Sequence, residues 1–235
     1  MTEAQWLVST DADELLAYLQ GKKNNRKLRL FGCACFRRVW HLVPEFESSR
    51  SAAERFYKAV EISEQYADKL VSAKELDRVR VETMASPIPV TFRSRFFQQI
   101  ELAALEARQM MAGRLGFDPK DATPIKERLE RGWGREMAEC KAQVAILHDL
   151  FGNPFRPVTI PPGWLRWNDS AVVRLAQTAY DQRILPAGTL DNTRLAVLAD
   201  ALEEAGCIEE QILTHLRNGG EHYRGCWVLD LILGK

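Results

Sequence analysis

The chain has 235 residues, and its 32 basic and 32 acidic side chains balance to a formal net charge of zero. That length suffices to bury a core without staples, as one large domain or two small ones. Neutrality argues against a protein that coats nucleic acid over its whole surface, the want of a long apolar run argues against a membrane span, and five cysteines without an apolar leader point to reduced thiols in a cytoplasmic protein.

In chain order the sequence reads as helices separated by caps, with almost no strand-period alternation. Thr2 with Gln5, Ser51 with Glu54 and Ser72 with Glu75 have capping-box spacing, in which two side chains satisfy the free amides of a helix start. The first short helix is expected to carry Trp6 inward. A second is predicted over about 11–20 with Leu15, Leu16 and Leu19 as its buried face and Gly21 as its stop.

The helix predicted over 26–42, capped by Asn24 or Asn25, is the least solvent-tolerant in the chain. Leu28, Phe31, Cys35, Val39 and Leu42 form one apolar stripe, and Leu30, Cys33 and Trp40 form another on the far side, so it needs neighbours on both sides. Trp40 is therefore expected in the core. Pro44 ends it. Helices over 51–70, with a charged wet face, over 72–85 and over 94–115 are expected next, the second stopping before Pro87 and Pro89. Gly116-Phe-Asp-Pro interrupts. A short helix from Thr123-Pro124 then runs to Gly132-Trp-Gly134, and another is expected over 135–150.

The segment from Phe151 to Gly163 holds four prolines and two glycines in thirteen residues, so no helix can run through it. Phe151, Phe155, Trp164 and Trp167 imply that this joint is packed down, since each buried aromatic contributes roughly 1.5 to 3 kcal/mol. Beyond it, helices are expected over 170–182, 191–205, 209–216 and 226–233. Leu195, Leu198, Ala199, Leu202 and Ala205 form the clearest stripe, with Gly206 as its stop. The last segment, Cys226 to Leu233, is most simply a buried helix, although periodicity alone also allows a strand.

Met1 to Trp6, the stretch Arg26 to Leu42, Leu150-Phe-Gly-Asn-Pro-Phe-Arg-Pro, Leu198 to Cys207 and the tail from His222 to Lys235 resemble a family of uncharacterised bacterial proteins. Its members carry a further cysteine where this chain has Phe36 and an alanine at Gly32. The resemblance implies no obligatory cysteine cluster in that helix and supplies no catalytic residues.

Four groups of residues bear on function. Cys33 and Cys35 sit two apart on a helix, which turns their side chains about 200° from one another and prevents a shared metal. Cys35 and His41 fare no better. Cys207, His215, His222 and Cys226 offer two thiols and two imidazoles, the donors of a tetrahedral zinc site, but lack a CxxC knuckle. The preferred expectation is no cofactor, with core thiols and histidines bonded to backbone carbonyls. Lys22, Lys23, Arg26, Lys27, Arg29, Arg37 and Arg38 form a basic run able to neutralise phosphates. Yet Arg37 and Arg38 lie on the helix expected to be buried, and the acidic residues Asp200, Glu203, Glu204, Glu209 and Glu210 are candidate partners for them, within the fold or on another copy.

For catalysis no GxSxG elbow, HExxH helix or phosphate-binding glycine loop occurs. Asp200 with Glu204 is read as a solvated face, and His148 beside Asp149 as an imidazolium favoured by a helix C-terminus. The sequence thus predicts an all-α protein of two packed helical groups, residues 1–150 and 164–235, joined at 151–163. It is expected to act as a non-catalytic protein-interaction or regulatory partner, ahead of a nucleic-acid-associated factor and, third, an enzyme.

Overall fold

A computed structural model of the chain describes residues 1–20, 22, 25–38, 50–84 and 125–235. Every extended element among these is an α-helix: α1 (Glu3–Val8), α2 (Ala12–Gln20), α3 (Asn25–Arg38), α4 (Arg50–Ala67), α5 (Ala73–Met84), α6 (Ile125–Phe151), α7 (Pro162–Asp181), α8 (Asn192–Glu204), α9 (Glu210–Arg217) and α10 (Trp227–Leu233). The protein is all-α. Expectations for Gly21, Asn24, Val39, Trp40, Leu42 and Pro44 lie outside the described residues, as do those for Pro87, Pro89, the 94–115 helix and Thr123-Pro124.

The chain folds as two compact units, Val8–Ala145 together with Met1, and Ile146–Lys235 together with Thr2–Leu7. The division falls inside α6, ahead of the proline-rich joint, and assigns most of the first helix to the second unit.

In the first unit α3 packs on α4, and α4 on α5. Asp11 caps α2 by accepting the Asp13 amide at 2.8 Å, and Leu15, Leu16 and Leu19 are buried as their spacing requires. Every residue of α3 from Leu30 to Arg37 is buried, so it has no wet face over that span. On α4, Glu54, Lys58 and Glu61 are exposed as the charged face requires, and Ser63 is buried; Glu64 departs from the expectation of a wet charged face, because it too is buried. The predicted break at Gly132-Trp-Gly134 is absent from α6, which runs unbroken across it. Glycine costs about 1 kcal/mol relative to alanine in a helix interior, too little for two of them to interrupt so long an element.

The second unit opens with the capping box foreseen at Thr2 and Gln5. The Thr2 amide donates to Gln5 Oε1 at 2.7 Å, and the Gln5 amide to Thr2 Oγ1 at 3.3 Å. Trp6 is buried, donating its indole N–H to the Gly152 carbonyl at 3.1 Å while its ring lies 5.3 Å from that of His148. Glu3 accepts from Asn153 at 2.8 Å and pairs with Arg156 at 2.6 Å, so the joint is tied down at its start.

Helix α7 begins at Pro162, earlier than expected, but its interior is not helical throughout. Asn168, Asp169 and Ser170 take φ values of 47°, 52° and 60°, a left-handed turn between two helical pieces. The guanidinium of Arg174 donates to the carbonyls of Asn168 and Asp169, supplying partners that the break removes. Helix α7 packs on α8 and α10, α8 on α9, and α9 on α10, around Val172, Tyr180, Leu198, Leu202, Leu216 and Leu229. The strand alternative for the last apolar segment is excluded, because α10 is helical.

Gly152 ends α6 with φ +61°, and a Cβ placed there would lie 3.0 Å from ring atoms of Trp227. A left-handed residue with a side chain costs roughly 1 to 2 kcal/mol before any clash is counted. Gly152→Ala is therefore expected to lower stability by more than about 1 kcal/mol, read as the midpoint shift in chemical denaturation.

A candidate metal centre of mixed donors

Three of the four residues foreseen as soft donors meet in the second unit. Asp149, His215, His222 and Cys226 each bring a donor atom to one place, all within 4.8 Å of one another. Cys207, the fourth residue suggested by sequence, is not in this group. It follows α8 and is buried in the apolar core beside it, its amide donating to the Leu202 carbonyl at 2.8 Å across the helix end at Gly206. Its place is taken by Asp149, from the last turn of α6.

Each donor is held by local structure. His215 lies in the last turn of α9, its ring 5.3 Å from Trp227 and 4.7 Å from His222, edge to face. Cys226 occupies the position before α10, its amide donating to Tyr223 O and its carbonyl accepting from Asp230, both at 2.9 Å. His222 sits on the connection from α9 to α10, which isolated bridges between Ile184 and Thr189 and between Thr189 and Tyr223 hold in place. The His222 carbonyl accepts from the Leu190 amide at 2.8 Å.

Asp149 Oδ1 lies 2.7 Å from His222 Nδ1 and 3.1 Å from His215 Nε2, and Oδ2 accepts the Tyr223 amide at 2.8 Å. His215 Nε2 is also 3.2 Å from Cys226 Sγ, and His222 Nε2 is 3.2 Å from the Asn218 carbonyl. A carboxylate in the last turn of a helix faces the negative end of the dipole, so this position is unfavourable unless positive charge compensates it. Burial pushes the Asp149 carboxyl up, but the bonds from His215 and His222 outweigh it and hold the group below its ordinary range. Burial pulls the His222 imidazole down, while the bond to Asp149 and its charge lift it above the usual value. Cys226 is pushed well above the ordinary thiol range by burial and then by the Asp149 charge.

A Cys–His–Asp relay is not what this arrangement makes. Such a relay needs the thiol on one imidazole nitrogen and the carboxylate on the other, whereas both approach Nε2 of His215. The thiol is also fully buried.

The remaining candidates have other uses in the fold. Cys33 and Cys35 are buried core residues, and burial followed by the charge of Glu64 pushes Cys33 up to about 12. The native protein at neutral pH is expected to leave both unmodified by iodoacetamide, whereas the denatured chain should be alkylated at both, as peptide mass mapping would reveal. His148 is not held as an imidazolium. Burial pulls it below its ordinary value against the opposing bond to the Trp6 carbonyl, which its Nε2 meets at 3.1 Å.

The basic run is drawn largely into the first unit. Arg37 meets the carboxylate of Glu64 at 2.7 and 3.0 Å, Arg26 meets Asp68 at 2.8 Å, and Arg38 meets Glu139 at 3.1 Å. Arg29 donates to Ser63 at 3.3 Å and lies over Tyr66, and Lys22 lies over Tyr18. Lys27 sits half-buried on α3, and Lys23 is outside the described residues. The acidic residues suggested as partners for Arg37 and Arg38 do not fill that role: Arg217 takes Asp200 and Glu203.

Among the described residues no helix is long and apolar enough to cross a membrane. No protein-family model matches the chain, and neither a curated protein nor a solved structure is significantly similar to it.

Proposed function

We propose that this chain is a non-catalytic protein-interaction or regulatory partner. The supporting observation is the sealing of its convergent reactive groups. The Cys226 thiol, the Asp149 carboxylate and the His222 imidazole are buried together, and their hydrogen bonds are directed at one another and at backbone. Turnover needs exposed reacting atoms, and the Cys226 thiol and the Asp149 carboxylate are not exposed. In the same unit Leu185 and Ile208 are strongly exposed, apolar side chains available to a partner.

The pairing of Arg26, Arg37 and Arg38 with internal carboxylates favours this reading over nucleic-acid binding, because a guanidinium already matched has little left for phosphate. Affinity capture from native extract, with and without nuclease, tests it. Retention of the same protein partner in both arms, reproduced with the purified partner, is the expected result. Loss of all retained material after nuclease, together with micromolar or tighter duplex binding that falls steeply with salt, would replace it by the nucleic-acid function.

A further inference from the structure

We infer that Asp149, His215, His222 and Cys226 form a structural site for a single zinc ion, through Oδ1, Nε2, Nδ1 and Sγ respectively. Beyond the function proposed above, this assigns the second unit an inorganic ligand.

The first support is the division of labour among the atoms. On both His222 and Asp149 the far heteroatom is already engaged by backbone, Nε2 by the Asn218 carbonyl and Oδ2 by the Tyr223 amide. Outer contacts of this kind fix the orientation and tautomer of metal ligands. An Nε2–H donated to Asn218 leaves Nδ1 as the ligating nitrogen, and Nδ1 is the atom that faces Asp149 Oδ1 at 2.7 Å. The ring of His215 lies against Trp227, which also passes close enough to Gly152, the residue that ends the helix bearing Asp149, that a Cβ there would lie 3.0 Å from its ring.

The second support is charge. A divalent cation with one thiolate, one carboxylate and two neutral imidazoles sums to zero, so the buried site carries no uncompensated charge. It also places a cation against the negative end of the α6 dipole, where the carboxylate alone is unfavourable. On binding, zinc displaces the thiol proton of Cys226 and the proton between His222 Nδ1 and Asp149, both of which leave to solvent, and His215 exchanges its Nε2 proton for one on Nδ1 so that Nε2 can ligate.

The third support is donor type and spacing. Zinc takes sulfur at about 2.3 Å and nitrogen or oxygen at about 2.0 to 2.2 Å, which puts tetrahedral donors roughly 3.3 to 3.6 Å apart. The donor contacts at 2.7, 3.1 and 3.2 Å need open by a few tenths of an ångström to a little under one, and the widest separation in the set, up to 4.8 Å, must close by somewhat more than one. One sulfur and two imidazoles select zinc over calcium or magnesium, which prefer oxygen. Four protein donors leave no open position, the mark of a structural site. Of the four, His215 keeps the most solvent contact, with 16 % of its side chain exposed, and supplies the way in.

The test uses the full chain. After zinc-supplemented expression it should carry one equivalent of zinc by elemental analysis. Stripped by chelator, it should rebind zinc in competition with a chromophoric chelator. Cobalt(II) in place of zinc should give the intense visible bands of a tetrahedral ion and the near-ultraviolet thiolate charge-transfer band. Cys226→Ser should abolish the thiolate band and weaken zinc binding more than about a hundredfold, beyond the usual effect of losing an outer contact. Asp149→Asn should weaken zinc binding but keep the band. Cys207→Ser should match the parent in both readouts, and this comparison decides the matter even if Cys226→Ser does not fold. The site is refuted if the stripped chain, folded by circular dichroism, binds no zinc at micromolar concentration. It is equally refuted if Cys226→Ser binds zinc as the parent does, or if Cys207→Ser loses the thiolate band.

Discussion

Glu64→Ala is expected to lower stability by about 3 to 5 kcal/mol, because it would remove the carboxylate that meets the buried, charged Arg37 guanidinium inside the first unit. The pair is sealed, with side-chain exposures of 1 % for Arg37 and 3 % for Glu64, and two short bonds align the guanidinium with both carboxylate oxygens. Arg37→Ala should be similarly severe, since it removes the guanidinium that meets the buried carboxylate through two bonds. The double substitution Arg37→Met with Glu64→Leu should lose less than either single, because no charge then remains to be desolvated. Urea denaturation of the four proteins provides the comparison. Single-variant losses below about 1 kcal/mol, the range of exposed ion pairs, would mean that water reaches the pair.

Trp6→Ala is expected to cost the second unit about 3 to 5 kcal/mol, from lost transfer energy and the cavity left behind. Trp6 is 1 % exposed, packs against His148, and donates the indole bond to the Gly152 carbonyl. Trp6→Phe separates the contributions. It keeps most of the apolar volume and gives up the hydrogen bond, whose net worth is about 0.5 to 1.5 kcal/mol. Denaturation midpoints should therefore fall in the order parent, phenylalanine, alanine. An alanine variant within about 1 kcal/mol of the parent would place Trp6 at the surface.

The helices were legible where their signals are local. Thr2 with Gln5 and Ser72 with Glu75 mark starts that the structure keeps, and Leu195, Leu198 and Leu202 repeat at the helical period and are buried. Pairings distant along the chain were not legible. Glu64, Asp68 and Glu139 meet the arginines of α3 through tertiary packing, whereas the acidic residues near 200–210 drew attention only by their clustering. The same contrast holds at the donor cluster. His215, His222 and Cys226 lie close in sequence, and the short connection between α9 and α10 gathers them. Asp149 comes from a separate helix, and its only local signal was a carboxylate in a last turn, where the dipole disfavours it. Cys207 misled because a thiol following a helix stop also suits an apolar core.

The bond from Trp6 to Gly152 closes a span of 146 residues. Synthesis proceeds from the N-terminus, so α1 leaves the ribosome long before the helix end that receives it exists. At roughly 5 to 20 residues per second, the indole N–H of Trp6 waits on the order of ten seconds for that acceptor. During that interval α1, six residues long, is too short to persist alone as a helix. A chaperone that recognises tryptophan in an extended segment would thus find its target in the nascent chain, and lose it once Gly152 emerges and the indole bond forms.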